Sequence, residues 1–369
     1  MDRVAIPGMP DVRAPAGRED PGMMRDLVQS FAQDPPVAPT SANGGGASYA
    51  NLALSGGGPN GAFGAGFLAG WSASGTRPRF KIVTGVSTGA LIAPFALLGT
   101  RYDTALREFY TTTASRNIFR MLSIIPQLLT GESLADTGPL NLLIAQNIDD
   151  AFLREVAKAH ASGQRLYIGT ADLDSQRFIV WNMGLIAQHG DLDLFRNVML
   201  ASSSVPVAFP PVFFTVEADG RRYDEMHVDG SVAAFVFYSG GVWNFAAARD
   251  AAGIASARAD IYVIHNGQLL PTPRATPRSL RSIAARVFES TGKAAVVGDL
   301  FRIYTVTRRE QSGFHWITIP QGVEISGDEI FDPEKMRQLY DLGYRMALGA
   351  SPWFRDLPGL ATTSGEERR

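Results

Sequence analysis

Cysteine is absent from the 369 residues. That excludes disulfides, iron–sulfur clusters, cysteine-ligated zinc, a cysteine nucleophile and any lipid anchor on cysteine. It leaves the compartment open, because a thiol-free protein is equally at home in cytosol and periplasm. No apolar run approaches the ~20 residues of a membrane helix, and the longest helical apolar stretch, 90–98, is read as core. The opening MDRVAIPGMPDVRAPAG has no hydrophobic h-region, so no signal peptide is expected. Neither sign of charge dominates: 34 Lys+Arg stand against 36 Asp+Glu, a net charge of −2, and nothing electrostatic favours nucleic acid as a partner. There is no G-x-x-x-x-G-K-[ST], no H-E-x-x-H, no D-x-[DN]-x-[DN]-G and no internal repeat. Neither a metal nor a cofactor is expected.

What is present suffices for a sizeable core, with 45% hydrophobic and 19% charged residues. Residues 1–48, rich in Pro, Gly, Asp and Ala, read as a partly ordered N-terminal arm with a short helix over 23–32. From Tyr49 the character changes. YANLALS is a strand, GGGPNG a turn and AFGAGFLAGW a helix crowded with small residues, which points to close packing against its neighbours. FKIVTGV (80–86) is a second strand that breaks at Ser87 into the helix STGALIAPFALLG. This rhythm is that of a parallel sheet with crossover helices. Further strands are expected at 165–173, 178–183, 209–218, 221–230 and 259–267, and helices at 193–204, 283–304 and 333–348. PTPRATPRSLR (271–281) reads as an exposed linker. The expectation is an α/β fold with a mainly parallel central sheet flanked by helices, a catalytic domain over 49–350, and a C-terminal tail at 351–369.

Two stretches carry chemistry. Gly85-Val86-Ser87-Thr88-Gly89 fits G-x-S-x-G directly after a strand and at the opening of a helix. A serine on that sharp turn projects its Oγ out of the sheet, and the helix N-terminus beneath favours a developing oxyanion. Gly56, Gly57 and Gly58, with Gly61 three residues on, follow the strand NLALS and expose backbone N–H groups suited to an oxyanion or a phosphate. The G-x-G-x-x-G nucleotide reading fails because no acidic residue ends the next strand. A base is sought among five histidines and the late carboxylates. His160, His189 and His315 read as solvated or structural. His265 ends a buried strand. His227 lies two residues before Asp229, on the same face of a strand, and Asp229-Gly230 closes that strand.

GGGPNG after a strand, GVSTG on an elbow and the late VDGSV, in that order, resemble the patatin-like phospholipase family. TADLDSQRFIVW and ASSSVPVAFPPV agree, and the resemblance covers about 49–267. It implies a lipid acyl hydrolase with a Ser–Asp dyad: Ser87 as nucleophile, Asp229 as the dyad carboxylate, and Gly56, Gly57 and Gly58 as the oxyanion hole. Gly85, Gly89, Gly61 and Gly230 would support the elbow and the loops. The implied partner is a lipid ester, with the apolar, basic stretch 116–131 as a candidate lid or membrane-facing flap. One position departs from the family: many members carry Arg or Lys where this chain has Asn60. Two rival readings stay open, a Ser-His-Asp esterase using His265 and a catalytically silent lipid-binding protein.

Overall fold

Eleven strands account for the sheets of the computed structural model, which describes residues 4–34, 48–121, 133, 135–255, 257–271, 273, 275–323 and 330–358. They are β1 (Arg13–Pro15), β2 (Ser48–Leu54), β3 (Phe80–Val86), β4 (Arg120–Met121), β5 (Ala135–Asp136), β6 (Arg165–Asp172), β7 (Arg177–Asn182), β8 (Val212–Ala218), β9 (Arg221–Asp229), β10 (Arg258–His265) and β11 (Gly313–Thr318). The main sheet runs β1-β7-β6-β3-β2-β10-β11, with the β8–β9 hairpin attached to β6. Five consecutive strands, β6, β3, β2, β10 and the edge strand β11, are parallel. Antiparallel pairings occupy one side only, at β6–β7, β1–β7, β6–β9 and β8–β9. β4 and β5 form a separate small ribbon.

The parallel strands are apolar on both faces because both are covered. Leu52 and Leu54 of β2, Val83 of β3, and Leu166 and Ile168 of β6 enter one core, with helices α2 (Gly61–Ala73) and α3 (Thr88–Leu98) and the helix Pro333–Ala347. The alternate residues, Ala53, Ile82, Val86 and Tyr167, enter the other. That second core is completed by the helices Phe245–Ala251 and Leu280–Arg309 and by α1 (Pro21–Ala32).

The small residues of α2 serve close packing. A Cβ on Gly66 would lie 2.0 Å from the carbonyl oxygen of Tyr340, and one on Gly70 would lie 2.3 Å from that of Tyr344. The helix Pro333–Ala347 therefore rests backbone to backbone on α2.

The N-terminal segment is built into the sheet. β1 pairs antiparallel with β7. α1 buries Met23, Leu27 and Phe31, spaced four apart along one stripe. Asp26 of α1 accepts from Arg165 Nε at 2.7 Å and from Asn182 Nδ2 at 2.8 Å, both buried. Composition alone reads 1–48 as an arm, since a three-residue strand has no periodicity to detect and its partner lies far along the chain. Of the stretch 116–131, residues 122–131 lie outside the described residues. Among the described residues, no helix is long and apolar enough to cross a membrane.

Candidate active site

Strand register brings the site together. β3 and β9 share one edge of β6, end to end. β3 pairs as far as Val86 opposite Gly169, and on the next residue of β6, Thr170, β9 takes over with Asp229. The residue that follows β3, Ser87, and the residue that ends β9 thus meet, although they are far apart in sequence. The crossing is tight: a Cβ on Gly230 would lie 2.4 Å from the Gly169 carbonyl oxygen and 3.0 Å from Val86 Cγ1.

Ser87 has φ 54° and ψ −125°, a conformation that a residue with a side chain adopts only under constraint. The constraint is visible. Its N–H donates to Ser202 Oγ at 3.0 Å, and its carbonyl accepts from Ala90 N–H at 2.8 Å and from the Ser203 hydroxyl at 3.3 Å. The flanking glycines are sterically required. A Cβ on Gly85 would lie 2.4 Å from Gly89 O, and one on Gly89 would lie 2.3 Å from Leu54 O. α3 starts at Thr88, so its positive end points at the Ser87 hydroxyl. Gly61, at the start of α2, lies against Thr88, since a Cβ there would be 2.1 Å from its Oγ1.

Asp229 is fully buried. Its Oδ1 accepts from Ser231 N–H at 2.8 Å, and its own N–H donates to the Ser204 carbonyl at 2.8 Å. Oδ2 is buried without a hydrogen bond among the described residues. Burial raises the carboxyl from 3.8 to about 6; the Ser87 hydroxyl and the N–H and hydroxyl of Ser231 pull the other way. Among the described residues no charged side chain contributes to that shift. A carboxyl so placed titrates near neutrality, as a general base requires.

The glycine loop divides its roles. Gly56 N–H donates to Phe235 O at 2.9 Å. Of the three glycines expected to form an oxyanion hole, it therefore offers no donor. What it provides is proximity: a Cβ there would lie 3.3 Å from Ser87 Cβ and 2.6 Å from Ser231 Oγ. Gly57 combines φ 155° with a virtual Cβ 2.1 Å from Asn266 O, so no other residue fits. Gly58 has φ 55° and open space above it. Among the described residues the N–H groups of Gly57 and Gly58 make no hydrogen bond.

His265 belongs to the underside of this loop. Ser55 Oγ donates to Gly56 O at 2.7 Å and lies 3.0 Å from His265 Nδ1. With its single proton so used, Ser55 accepts from His265, which assigns the Nδ1–H tautomer. Burial, and then the Lys293 charge, push the ring down to about 3. The imidazole is a neutral strut that bonds neither Ser87 nor Asp229 among the described residues, which removes it as a triad histidine. Asn266 completes the strut, with N–H to Ser55 Oγ at 2.8 Å and Nδ2 to Ser55 O at 2.9 Å.

His227 shares a face with Asp229 but turns to Thr170 Oγ1 (2.9 Å) and Glu225 (3.1 Å). With Asp172 and Glu225 it forms a cluster of metal-ligand type. The buried Arg13 guanidinium already pairs with Glu225, and Asp172 accepts from Ser175 and from Asp174 N–H. The protein's own donors fill this place. The sequence reading passed over Ser202, Ser203, Ser204 and Ser231, all of which hold the two central residues. Their signal was the serine run in ASSSVP and the serine directly after Asp229-Gly230.

No curated protein matches this chain. Among solved structures it is similar to VipD from Legionella pneumophila, at 11% identity and a TM-score of 0.41, over 81% of this chain. The match spans 66% of that protein's length. The family model described as patatin-like phospholipase matches residues 52–239, just over half of the sequence. The chain belongs to the patatin-like phospholipase family.

Proposed function

We propose that this chain is a serine acyl hydrolase that cleaves the carboxylic ester bonds of lipids through Ser87 and Asp229. The observation that carries this reading is the meeting of a strained serine at a strand-to-helix elbow with a buried carboxyl held at about 6. Asp229, ionised at neutral pH, takes the Ser87 proton through Oδ2 as Oγ attacks the ester carbonyl. The N–H groups of Gly57 and Gly58 receive the oxyanion, each good donor contributing about 3–4 kcal/mol in a preorganised site. Collapse of the tetrahedral intermediate expels the alcohol or lysolipid, which takes its proton from Asp229. Water then gives up a proton to Asp229 and attacks the acyl-enzyme, and Ser87 recovers its proton as the fatty acid leaves.

Space above Gly58 leaves an approach for the acyl group, and α3 adds positive potential at the oxyanion. Labelling by a fluorophosphonate probe tests the reading. Wild-type protein should label and hydrolyse short nitrophenyl esters, whereas Ser87→Ala should do neither while keeping its far-ultraviolet circular dichroism. A wild-type protein that stays unlabelled would instead favour a silent lipid-binding role.

A further inference from the structure

The acyl-transfer scheme leaves the hydroxyl of Ser231 without a task. Ser231 sits in the short turn Gly230–Val232, directly beyond Asp229, and is buried. Its N–H already donates to Asp229 Oδ1. Its Oγ occupies a junction, because the point where Gly56 would carry a Cβ lies 2.6 Å from Ser231 Oγ and 3.3 Å from Ser87 Cβ. The Ser231 hydroxyl thus lies against Gly56 where the loop faces Ser87, while its own backbone N–H is bonded to the base. A carboxylate removed from water and given no cation must draw its solvation from hydrogen bonds. Among the described residues the backbone N–H serves one oxygen, while the other is buried without a hydrogen bond.

We propose that Ser231 is a positioning residue of the dyad: its hydroxyl, seated between Gly56 and Ser87, donates to the Asp229 carboxylate and holds the charged base in place against the nucleophile. The inference rests on the Ser87–Asp229 reading. Among the described residues, the titratable groups packed near Asp229 are turned to other partners. His227, on the same strand, faces Thr170 and Glu225; Asp172, on β6, is bonded to Ser175 and Asp174 N–H. Ser204, two residues beyond the helix Leu192–Ser202, presents a carbonyl to Asp229 N–H. The loop presents Gly56, and α3 presents Ser87 at its start.

The test is the pH dependence of kcat/KM on a soluble nitrophenyl ester for wild type, Ser231→Ala, Ser231→Gly and Asp229→Asn. The wild-type acid limb should be one that Asp229→Asn abolishes. Losing a hydrogen bond to a charged group should move that limb upward by about one pH unit in both Ser231 variants. Plateau kcat should fall by no more than about tenfold, because the general base itself remains but is held less firmly against Ser87. An unmoved limb in folded variants overturns the proposal, and so does a collapse of plateau kcat with the limb in place. Failure of both variants to fold would overturn it as well, since the hydroxyl is assigned to the base and not to the fold. A wild type without an Asp229-dependent limb would mean that the dyad reading itself has failed.

Discussion

Replacing Asp229 with Asn should stabilise the protein at neutral pH while abolishing turnover. Burial holds the Asp229 carboxyl at about 6 in the folded chain, against 3.8 when unperturbed. The folded state therefore binds the proton more tightly than the unfolded state. Between about pH 4 and 6 it holds more protons, and stability falls as pH rises through that window. Above the window the full cost of an ionised, buried carboxylate is present. A difference of about two pH units corresponds to about 3 kcal/mol. Asn carries no charge and removes this cost. Its oxygen can keep the Ser231 N–H, and its NH2, in the place of the unpartnered Oδ2, can donate to Ser87 Oγ. At about 2 cal/mol/K per residue of unfolding entropy, 3 kcal/mol in this chain is a rise in Tm of about 4 °C. Thermal unfolding followed by circular dichroism from pH 4 to 8 would measure it, with kcat on a nitrophenyl ester taken in parallel. The variant should melt higher at pH 8, the gap should close toward pH 4, and kcat should drop by ~10²–10⁴. A gap that does not change with pH would refute the reasoning, because a titrating carboxyl cannot produce one.

What the sequence revealed of this site is local. Ser87 was legible because G-x-S-x-G, a strand before it and a helix after it are contiguous, and the glycine loop was legible for the same reason. Asp229 came through family resemblance and not through geometry. Its place depends on β9 taking over the edge of β6 where β3 stops, a pairing of distant strands that no local pattern encodes. The division of labour among Gly56, Gly57 and Gly58 depends on Phe235 O, a tertiary acceptor for Gly56 N–H. The order Ser87, Asp229, His265 permits a triad, but chain order does not say which atom a ring nitrogen meets, and here it meets Ser55. β1 was hidden because Pro and Gly dominate the composition of its segment, and the short helix expected over 23–32 is found as α1 (Pro21–Ala32) but could not be seen to pack on the sheet. Its apolar residues, Met23, Leu27 and Phe31, show a purpose only once the sheet they cover is known.

Three further outcomes are expected. His265→Ala should keep kcat within about tenfold at pH 8, where loss of a triad histidine would cost three to four orders of magnitude or more; its effect should appear as a lower Tm, since it removes the strut under Ser55. Gly66→Ala should cost about 1–3 kcal/mol by forcing α2 off the backbone of the helix Pro333–Ala347, and should lower Tm without changing kcat at 25 °C. The last outcome concerns Asn60, half-buried at the end of the turn Gly58–Asn60 and directly before α2. It is two residues from Gly58, above which space is open, so a long side chain there can reach a substrate held by the loop. Asn offers a neutral amide, whereas Arg offers charge-assisted hydrogen bonds, worth roughly twice as much to a lipid phosphate. Asn60→Arg should therefore raise kcat/KM for anionic phospholipids relative to uncharged esters by about tenfold, measured on mixed micelles of matched acyl composition. The wild type should show little preference between the two. If the substitution leaves the ratio unchanged, position 60 does not face the headgroup, and phosphate recognition in this chain falls to another cation.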